Sequence, residues 1–228
     1  MITSRTWLRI AASFAGLSAA LAPPAASASA MPVHAPPALS AQHRTLPEPP
    51  SAGIARGELD DLKVEAPHSM AGYSRAKFPH WATQYGQCDT REVVLQRDGR
   101  GVAQDDKCRA VQGTWYSEYD GKILIAAGDA DIDHMVPLAA GWRGGADLWD
   151  TPKRKAFAND LAHSQLLAVS AASNRSKGDQ TPDAWKPPLT SYWCTYSRAW
   201  IDVKHVYELN VTEPEKAALS EMLDTCSG

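Results

Sequence analysis

The sequence lacks an apolar run long enough to span a membrane, which takes about 20 residues. The apolar run at residues 10–21 is too short; it follows Arg5 and Arg9 and precedes the small residues 28–30. This order of a positive region, an apolar run and small residues is typical of a secretory signal peptide. We therefore predict a signal peptide over residues 1–30, a secreted extracellular protein and no membrane partner.

The sequence also lacks an excess of positive charge. It has 23 Lys and Arg against 26 Asp and Glu, a net charge of −3. Loss of the signal peptide would make this −5, because that segment carries two arginines and no acidic residue. Proteins that coat duplex nucleic acid are usually basic. The charge balance argues against a coating protein and leaves room for an enzyme with a local basic patch.

The motifs of several other hydrolase classes are missing. The chain has neither the H-E-x-x-H motif of zinc proteases nor the G-x-S-x-G motif of serine hydrolases. If all cysteines are paired, no thiol remains for nucleophilic catalysis. A peptide or cell-wall hydrolase therefore has no motif to support it.

Cysteine is scarce but even in number, with Cys88, Cys108, Cys194 and Cys226. In a secreted chain this favours disulfides. Proximity favours the pairs Cys88–Cys108 and Cys194–Cys226, although three pairings are possible. No pair has the C-x2-4-C spacing typical of a structural zinc site.

The chain changes composition twice after the signal peptide. Residues 31–71 are rich in Pro, Ala, Ser and His, and we predict a disordered leader there, with a short helix over residues 56–65 as the one structured alternative. Residues 72–228, about 157 in number, are long enough for one domain with a real core. We expect this domain to be a monomer.

Two stretches of this domain concentrate polar residues at the ends of expected strands. Residues 123–127 predict a short buried strand, followed by Asp129, Asp131 and Asp133. Pro137 then favours a loop. Residues 165–169 predict a second strand, Ser170 an N-cap for a short helix, and Gly178 the end of that helix.

These stretches resemble the HNH endonucleases of the ββα-metal superfamily, including the C-terminal HNH domain of GmrSD restriction endonucleases. The resemblance rests on D-x-D-H-x-V-P at residues 131–137 and N-R-x-K-G at residues 174–178. Further segments resemble a group of secreted actinobacterial HNH proteins: residues 73–81, 90–99, 113–120, 157–161 and 182–185. The resemblance implies an α+β fold, with a ββα-metal core embedded in additional helices and held by the two disulfides.

The resemblance also implies roles for individual residues. His134 would be the general base, and Asp133 and the amide oxygen of Asn174 would bind one divalent cation, Mg²⁺ or another such as Mn²⁺. Asp131 would be a further ligand or would orient the site. Arg175 and Lys177 would hold substrate phosphates.

One position departs from the HNH pattern. The residue that braces the loop of the catalytic histidine is normally an Asn shortly before the second strand. That position is His163 here, while an Asn stands four residues earlier at Asn159. Either residue could take the role; Asn159 is favoured because it lies in residues 157–161, which resemble the secreted group.

The sequence therefore predicts a secreted metal-dependent endonuclease with little sequence preference, acting on DNA or RNA. The alternative is a secreted binding module that keeps the HNH fold without catalysis. That alternative would explain both the acidic charge balance and the His163 departure.

Overall fold

The computed structural model describes residues 46–227, which contain seven α-helices and seven β-strands. The helices are α1 (Ala52–Asp61), α2 (Thr90–Asp98), α3 (Leu138–Arg143), α4 (Thr151–Ala158), α5 (Ala171–Lys177), α6 (Trp193–Val206) and α7 (Glu213–Leu223). The strands are β1 (Thr83–Tyr85), β2 (Cys88–Asp89), β3 (Gly99–Gln104), β4 (Ala110–Ser117), β5 (Lys122–Leu124), β6 (Ala130–His134) and β7 (Leu166–Ser170). Short 3-10 helices cover Arg75–Lys77, Ala127–Asp129, Ala146–Leu148 and Thr190–Tyr192. The expected α+β class is confirmed.

The strands form three small antiparallel sheets, β1-β2, β3-β4-β5 and β6-β7. In the last sheet Asp131 lies opposite Val169 and Asp133 opposite Leu167. Helix α5 follows β7 without a gap in the chain. The sequence β6, β7, α5 is therefore a ββα unit with the acidic residues on its first strand.

The predicted strand over residues 123–127 is wrong in extent and in burial. Strand β5 ends at Leu124, and the side chain of Ile125 is 79% exposed. The chain then turns through a 3-10 helix at Ala127–Asp129, whose Ala127 carbonyl accepts a hydrogen bond from Arg91. This turn separates β5 from β6, so Asp131 and Asp133 lie within a strand and not after one.

The predictions for β7 and α5 are confirmed to within one residue. All five residues of β7 are buried. The Ser170 hydroxyl accepts a hydrogen bond from the Ser173 amide at 3.1 Å, as an N-cap does. Gly178 ends the helix with a φ of 55°, a conformation that glycine adopts without strain.

Helices α1, α6 and α7 pack against one another on a shared apolar core. Helix α1 contributes Ala55 and Leu59, and the flanking Leu46 and Leu62 are also buried. The leader predicted for residues 31–71 is thus corrected from residue 46 onward, because this stretch buries apolar side chains that its overall composition did not reveal. The predicted signal peptide and residues 31–45 lie outside the described residues.

Both disulfides have the pairing favoured by proximity in sequence. Cys88–Cys108 joins β2 to the β3–β4 turn, and Cys194–Cys226 joins α6 to the segment after α7. By loop-closure entropy each bridge contributes about 3 kcal/mol. Within residues 46–227, no helix is long and apolar enough to cross a membrane.

Candidate active site

An open pocket of about 210 Å³ lies where β6 ends beside α5. Its polar lining includes Asp133, His134, Asn174, Arg75 and Asp179. The structure thus brings the predicted site residue Asn174 together with Asp133 and His134, which lie about 40 positions earlier in the sequence. The remainder of the lining is Tyr73, Ile132, Pro137, Leu138, Ala139 and Gly178.

His134 is the last residue of β6, and its side chain is held in one orientation. Its Nε2 lies 3.0 Å from the carbonyl oxygen of Ala158. A carbonyl can only accept, so Nε2 carries the hydrogen and Nδ1 keeps a lone pair. Burial lowers the pKa of His134 to about 3. The imidazole is therefore neutral near neutral pH, with Nδ1 as its acceptor.

The indole of Trp81 covers one face of this imidazole. The two rings stack with centroids 5.6 Å apart and an angle of 29° between planes. Trp81 has a φ of 57°, which is strained for a bulky residue. The side chain of Asn159 binds the backbone before and after Trp81. It accepts a hydrogen bond from the amide of Ala82 at 2.8 Å and donates one to the carbonyl of Pro79 at 2.7 Å.

The two candidates for the middle HNH position lie in different surroundings. Asn159 follows Ala158 directly, so one short segment contacts His134 through a carbonyl and clamps the turn that carries Trp81. The imidazole of His163 instead pairs with Asp160, with 2.8 Å between Nδ1 and Oδ2, and its side chain is 41% exposed. The structure therefore associates Asn159, and not the side chain of His163, with the loop beside His134.

Asp133 is buried and bound through one carboxylate oxygen. Its Oδ2 accepts from the hydroxyl of Tyr119 and from Nζ of Lys177, both at 2.6 Å. Desolvation raises the pKa of Asp133 and lowers that of Lys177, and in both cases the partner's charge opposes the shift. Among residues 46–227, no hydrogen bond reaches Oδ1 of Asp133, which leaves this oxygen for the pocket.

The prediction that Lys177 holds substrate phosphates is wrong. Its side chain has no exposed surface, and its three ammonium donors are directed to Asp133 Oδ2 and to the carbonyls of His134 at 2.8 Å and Met135 at 3.0 Å. A buried ammonium with all three donors engaged cannot contact a phosphate. Lys177 is a positioning residue that fixes Asp133 and the backbone of the His134 loop.

Asp131 orients Asn174, the predicted second oxygen ligand. The amide nitrogen of Asn174 donates to Oδ2 of Asp131 at 3.1 Å. The amide oxygen of Asn174 is left without a hydrogen bond from any described residue, and Asn174 lines the pocket. This geometry favours the orienting role of Asp131 over direct ligation.

The donor set of the pocket fits a hard divalent cation. It offers one carboxylate oxygen from Asp133 and one amide oxygen from Asn174, and Mg²⁺ is commonly bound through one or two protein oxygens while it keeps several waters. No group of three His, Cys, Asp or Glu side chains in the part of the chain described is arranged to hold a metal. The residues therefore fit a weakly ligated ion such as Mg²⁺ and do not form a closed zinc or calcium cage.

Three residues of the site were not identified as functional from the sequence: Arg75, Trp81 and Tyr119. They lie in residues 73–81 and 113–120, segments already noted as resembling the secreted HNH group. That likeness was the available signal, but it could not say which side chains reach the pocket. Arg175 is exposed on α5 and does not line the pocket.

Comparison with known proteins gives the same family as the motifs. The model of the family described as GmrSD restriction endonucleases, C-terminal domain, matches residues 90–222. The chain belongs to this family. The matched range contains Asp133, His134, Asn159 and Asn174, whereas Arg75 and Trp81 precede it.

A protein of Arthroderma benhamiae, named "Uncharacterized secreted protein", is 55% identical over 177 residues, which is 78% of this chain and 87% of that protein. No solved structure matches the chain. The secreted relative and the two disulfides agree with the predicted extracellular location. The protein is therefore a secreted member of the family. Because this relative is fungal, the likeness to actinobacterial proteins stays a prediction.

Proposed function

We propose that the protein is a secreted endonuclease that hydrolyses nucleic-acid phosphodiester bonds with the help of one divalent metal ion. The observation that carries the proposal is the shared pocket of His134, Asp133 and Asn174. It presents one unprotonated imidazole nitrogen beside two oxygens that accept no hydrogen bond from residues 46–227. A nitrogen base next to a hard-cation site can deprotonate the attacking water and neutralise charge on the phosphate, and phosphodiester hydrolysis benefits from both.

His134 is the proposed general base. Its Nε2 is committed to the Ala158 carbonyl, so Nδ1 is the atom that accepts a proton from the attacking water. The stack with Trp81 and the Ala158 hydrogen bond hold the ring in place before substrate arrives. Such preorganisation spares the reaction the cost of orienting its base.

Asp133 and Asn174 are the proposed ligands of Mg²⁺ or a similar ion such as Mn²⁺. A bound ion would neutralise charge that develops on the phosphate and the leaving oxygen. Lys177 and Tyr119 hold the Asp133 carboxylate through Oδ2, and Asp131 holds the Asn174 amide through its nitrogen. Each ligand therefore has a partner that directs its remaining oxygen toward the pocket.

The size of the pocket supports a polymeric substrate. Sites that enclose whole small molecules usually measure about 300–1,000 Å³, whereas this open pocket has about 210 Å³. It is suited to one phosphodiester group of a chain that continues along the surface. We propose DNA or RNA as that chain, with Arg175, exposed on α5, contacting a flanking phosphate.

The test is a nicking assay on supercoiled plasmid and on a labelled RNA, with Mg²⁺ or Mn²⁺ and with EDTA. His134→Ala should lower the rate about 10²- to 10⁴-fold, the usual contribution of a general base. His205→Ala is the matched control, since His205 is half exposed on α6 and does not line the pocket. It should cleave like the wild type.

A wild-type protein that cleaves neither substrate with either ion would reject the proposal. The same holds if His134→Ala and wild type cleave equally. Either result would favour the secreted binding module.

A further inference from the structure

The charges that line the pocket are compensated within the protein, with one exception. Asp133 is paired with Lys177 at 2.6 Å, and Asp179 with Arg143 at 2.6 Å. Arg143 also donates to the Asp179 carbonyl. The remaining formal charge in the lining is the guanidinium of Arg75.

Arg75 has no partner of its own among residues 46–227. It is exposed, and neither a hydrogen bond nor an ion pair there involves its side chain. Two other arginines differ: Arg143 is bound to the lining residue Asp179, and Arg154 donates to the carbonyls of Lys77 and Ala146. Arg75 therefore keeps its full set of donors while it faces the pocket.

The position of Arg75 is fixed by the chain on both sides. It begins the 3-10 helix Arg75–Lys77, which follows Tyr73, another lining residue. Tyr73 packs edge-on against the buried Trp142, with 5.7 Å between ring centroids. Downstream, Asn159 binds the carbonyl of Pro79. The guanidinium thus projects from a segment anchored to the core.

We propose that Arg75 binds the substrate, its guanidinium holding the non-bridging oxygens of the phosphate that enters the pocket beside His134. A guanidinium can bind a phosphate through two parallel hydrogen bonds. An unpaired guanidinium is well suited to bind an anion in a pocket whose other charges are paired. This inference rests on the proposed function. It gives the phosphate-binding role, predicted for Lys177, to a residue that precedes the span matched by the family.

This contact also explains how a chain with a net negative charge can bind a polyanion. Attraction for a polyanion usually requires a broad basic surface, and the net charge of −3 offers none overall. One uncompensated cation at the point of reaction concentrates the attraction on a single phosphate. Binding should then depend on salt weakly, with a slope that falls by about one when Arg75 is lost.

The experiment compares wild type, Arg75→Ala, Arg75→Lys and Arg100→Ala. Arg100 is the matched control, because it is exposed on β3, has no ion pair in the described part of the chain and does not line the pocket. The first measurement is binding of a fluorescent oligonucleotide in EDTA from 25 to 200 mM salt, roughly the range in which phosphate contacts weaken. The second is steady-state cleavage with Mg²⁺, and the third is thermal unfolding.

For Arg75→Ala we expect about 10- to 100-fold weaker binding and a similar loss in kcat/KM, as for a hydrogen bond to a charged group. Arg75→Lys should recover part of the loss, because it keeps the charge and loses the fork. Arg100→Ala should match the wild type. The unfolding temperature should not change, since the Arg75 side chain is exposed and makes no hydrogen bond or ion pair within residues 46–227.

Failure of this inference and failure of the proposed function give different results. If wild type cleaves while Arg75→Ala binds and cleaves as wild type does, Arg75 is not a substrate contact and hydrolysis still stands. If wild type binds through Arg75 in EDTA but never cleaves, the binding role stands and hydrolysis fails. A wild type that does not bind the oligonucleotide at all overturns the inference.

Discussion

Residues 46–227 contain two buried lysine–carboxylate pairs, one at the candidate active site and one in the helical core. Lys177 meets Asp133 and Lys204 meets Glu215, each with 2.6 Å between nitrogen and oxygen. Both lysine side chains are at most 2% exposed, and desolvation lowers the pKa of both. By distance and burial the two pairs are nearly the same.

The two pairs differ in the further hydrogen bonds that each carboxylate accepts. In the helical core, Oε1 of Glu215 also accepts from the Trp200 indole at 2.7 Å, and Oε2 completes the capping box of α7 with the amide of Thr212. Asp133 receives both of its hydrogen bonds on Oδ2 and lines the pocket. A closed pair, in which both carboxylate oxygens accept hydrogen bonds, stabilises the fold. An open pair, in which one oxygen accepts none, can present that oxygen to a ligand.

The largest effect should follow Lys177→Met. It leaves the Asp133 carboxylate buried without its partner, which costs about 3–5 kcal/mol of unfolding free energy. Loss of a residue that orients a metal ligand typically lowers activity about 10- to 100-fold. Urea unfolding and plasmid nicking measure the two effects. Full activity in this variant would show that the open pair is only structural.

Lys204→Met should be as destabilising but should not affect cleavage. Glu215 loses its buried partner at a cost of about 3–5 kcal/mol, and Lys204 also stops donating to the carbonyl of Asn210. Urea unfolding should show the loss, while the nicking rate of the folded fraction stays at the wild-type value. A selective loss of rate would mean that the helical pair communicates with the pocket.

The smallest effect should come from adding Mg²⁺. An ion that binds the folded state alone stabilises it by about 2.7 kcal/mol when its concentration is 100 times Kd. Wild type and Lys204→Met should both gain in unfolding temperature, and Asp133→Asn should gain less. Equal gains in all three would place the ion elsewhere.

Local patterns in the sequence were sufficient to predict β7 and α5 of the ββα unit, but not its first strand β6. Ser170 and Gly178 mark the two ends of α5, and the apolar residues before Ser170 mark β7, because caps and strand composition act over a few residues. The grouping of His134, Asp133 and Asn174 followed from family resemblance.

What failed depends on contacts between distant parts of the chain. Nothing near Lys177 in sequence shows that its ammonium is buried against Asp133, 44 positions earlier. The stacking of Trp81 on His134 likewise requires a strained turn clamped by Asn159. The predicted leader extended too far toward the C-terminus. The few apolar residues of α1 are buried only because they pack against α6 and α7, which the local sequence does not show.

The packing of α1 limits how the secreted chain can be trimmed. Ala55 is fully buried and Leu59 nearly so, and the carbonyls of Pro49 and Pro50 accept hydrogen bonds from Arg198 of α6. An extracellular protease that removed the residues up to 71 would uncover the apolar side of α6 and α7. The shortest durable form of the protein therefore retains the stretch from Leu46 onward, and expression or maturation boundaries should be set ahead of it.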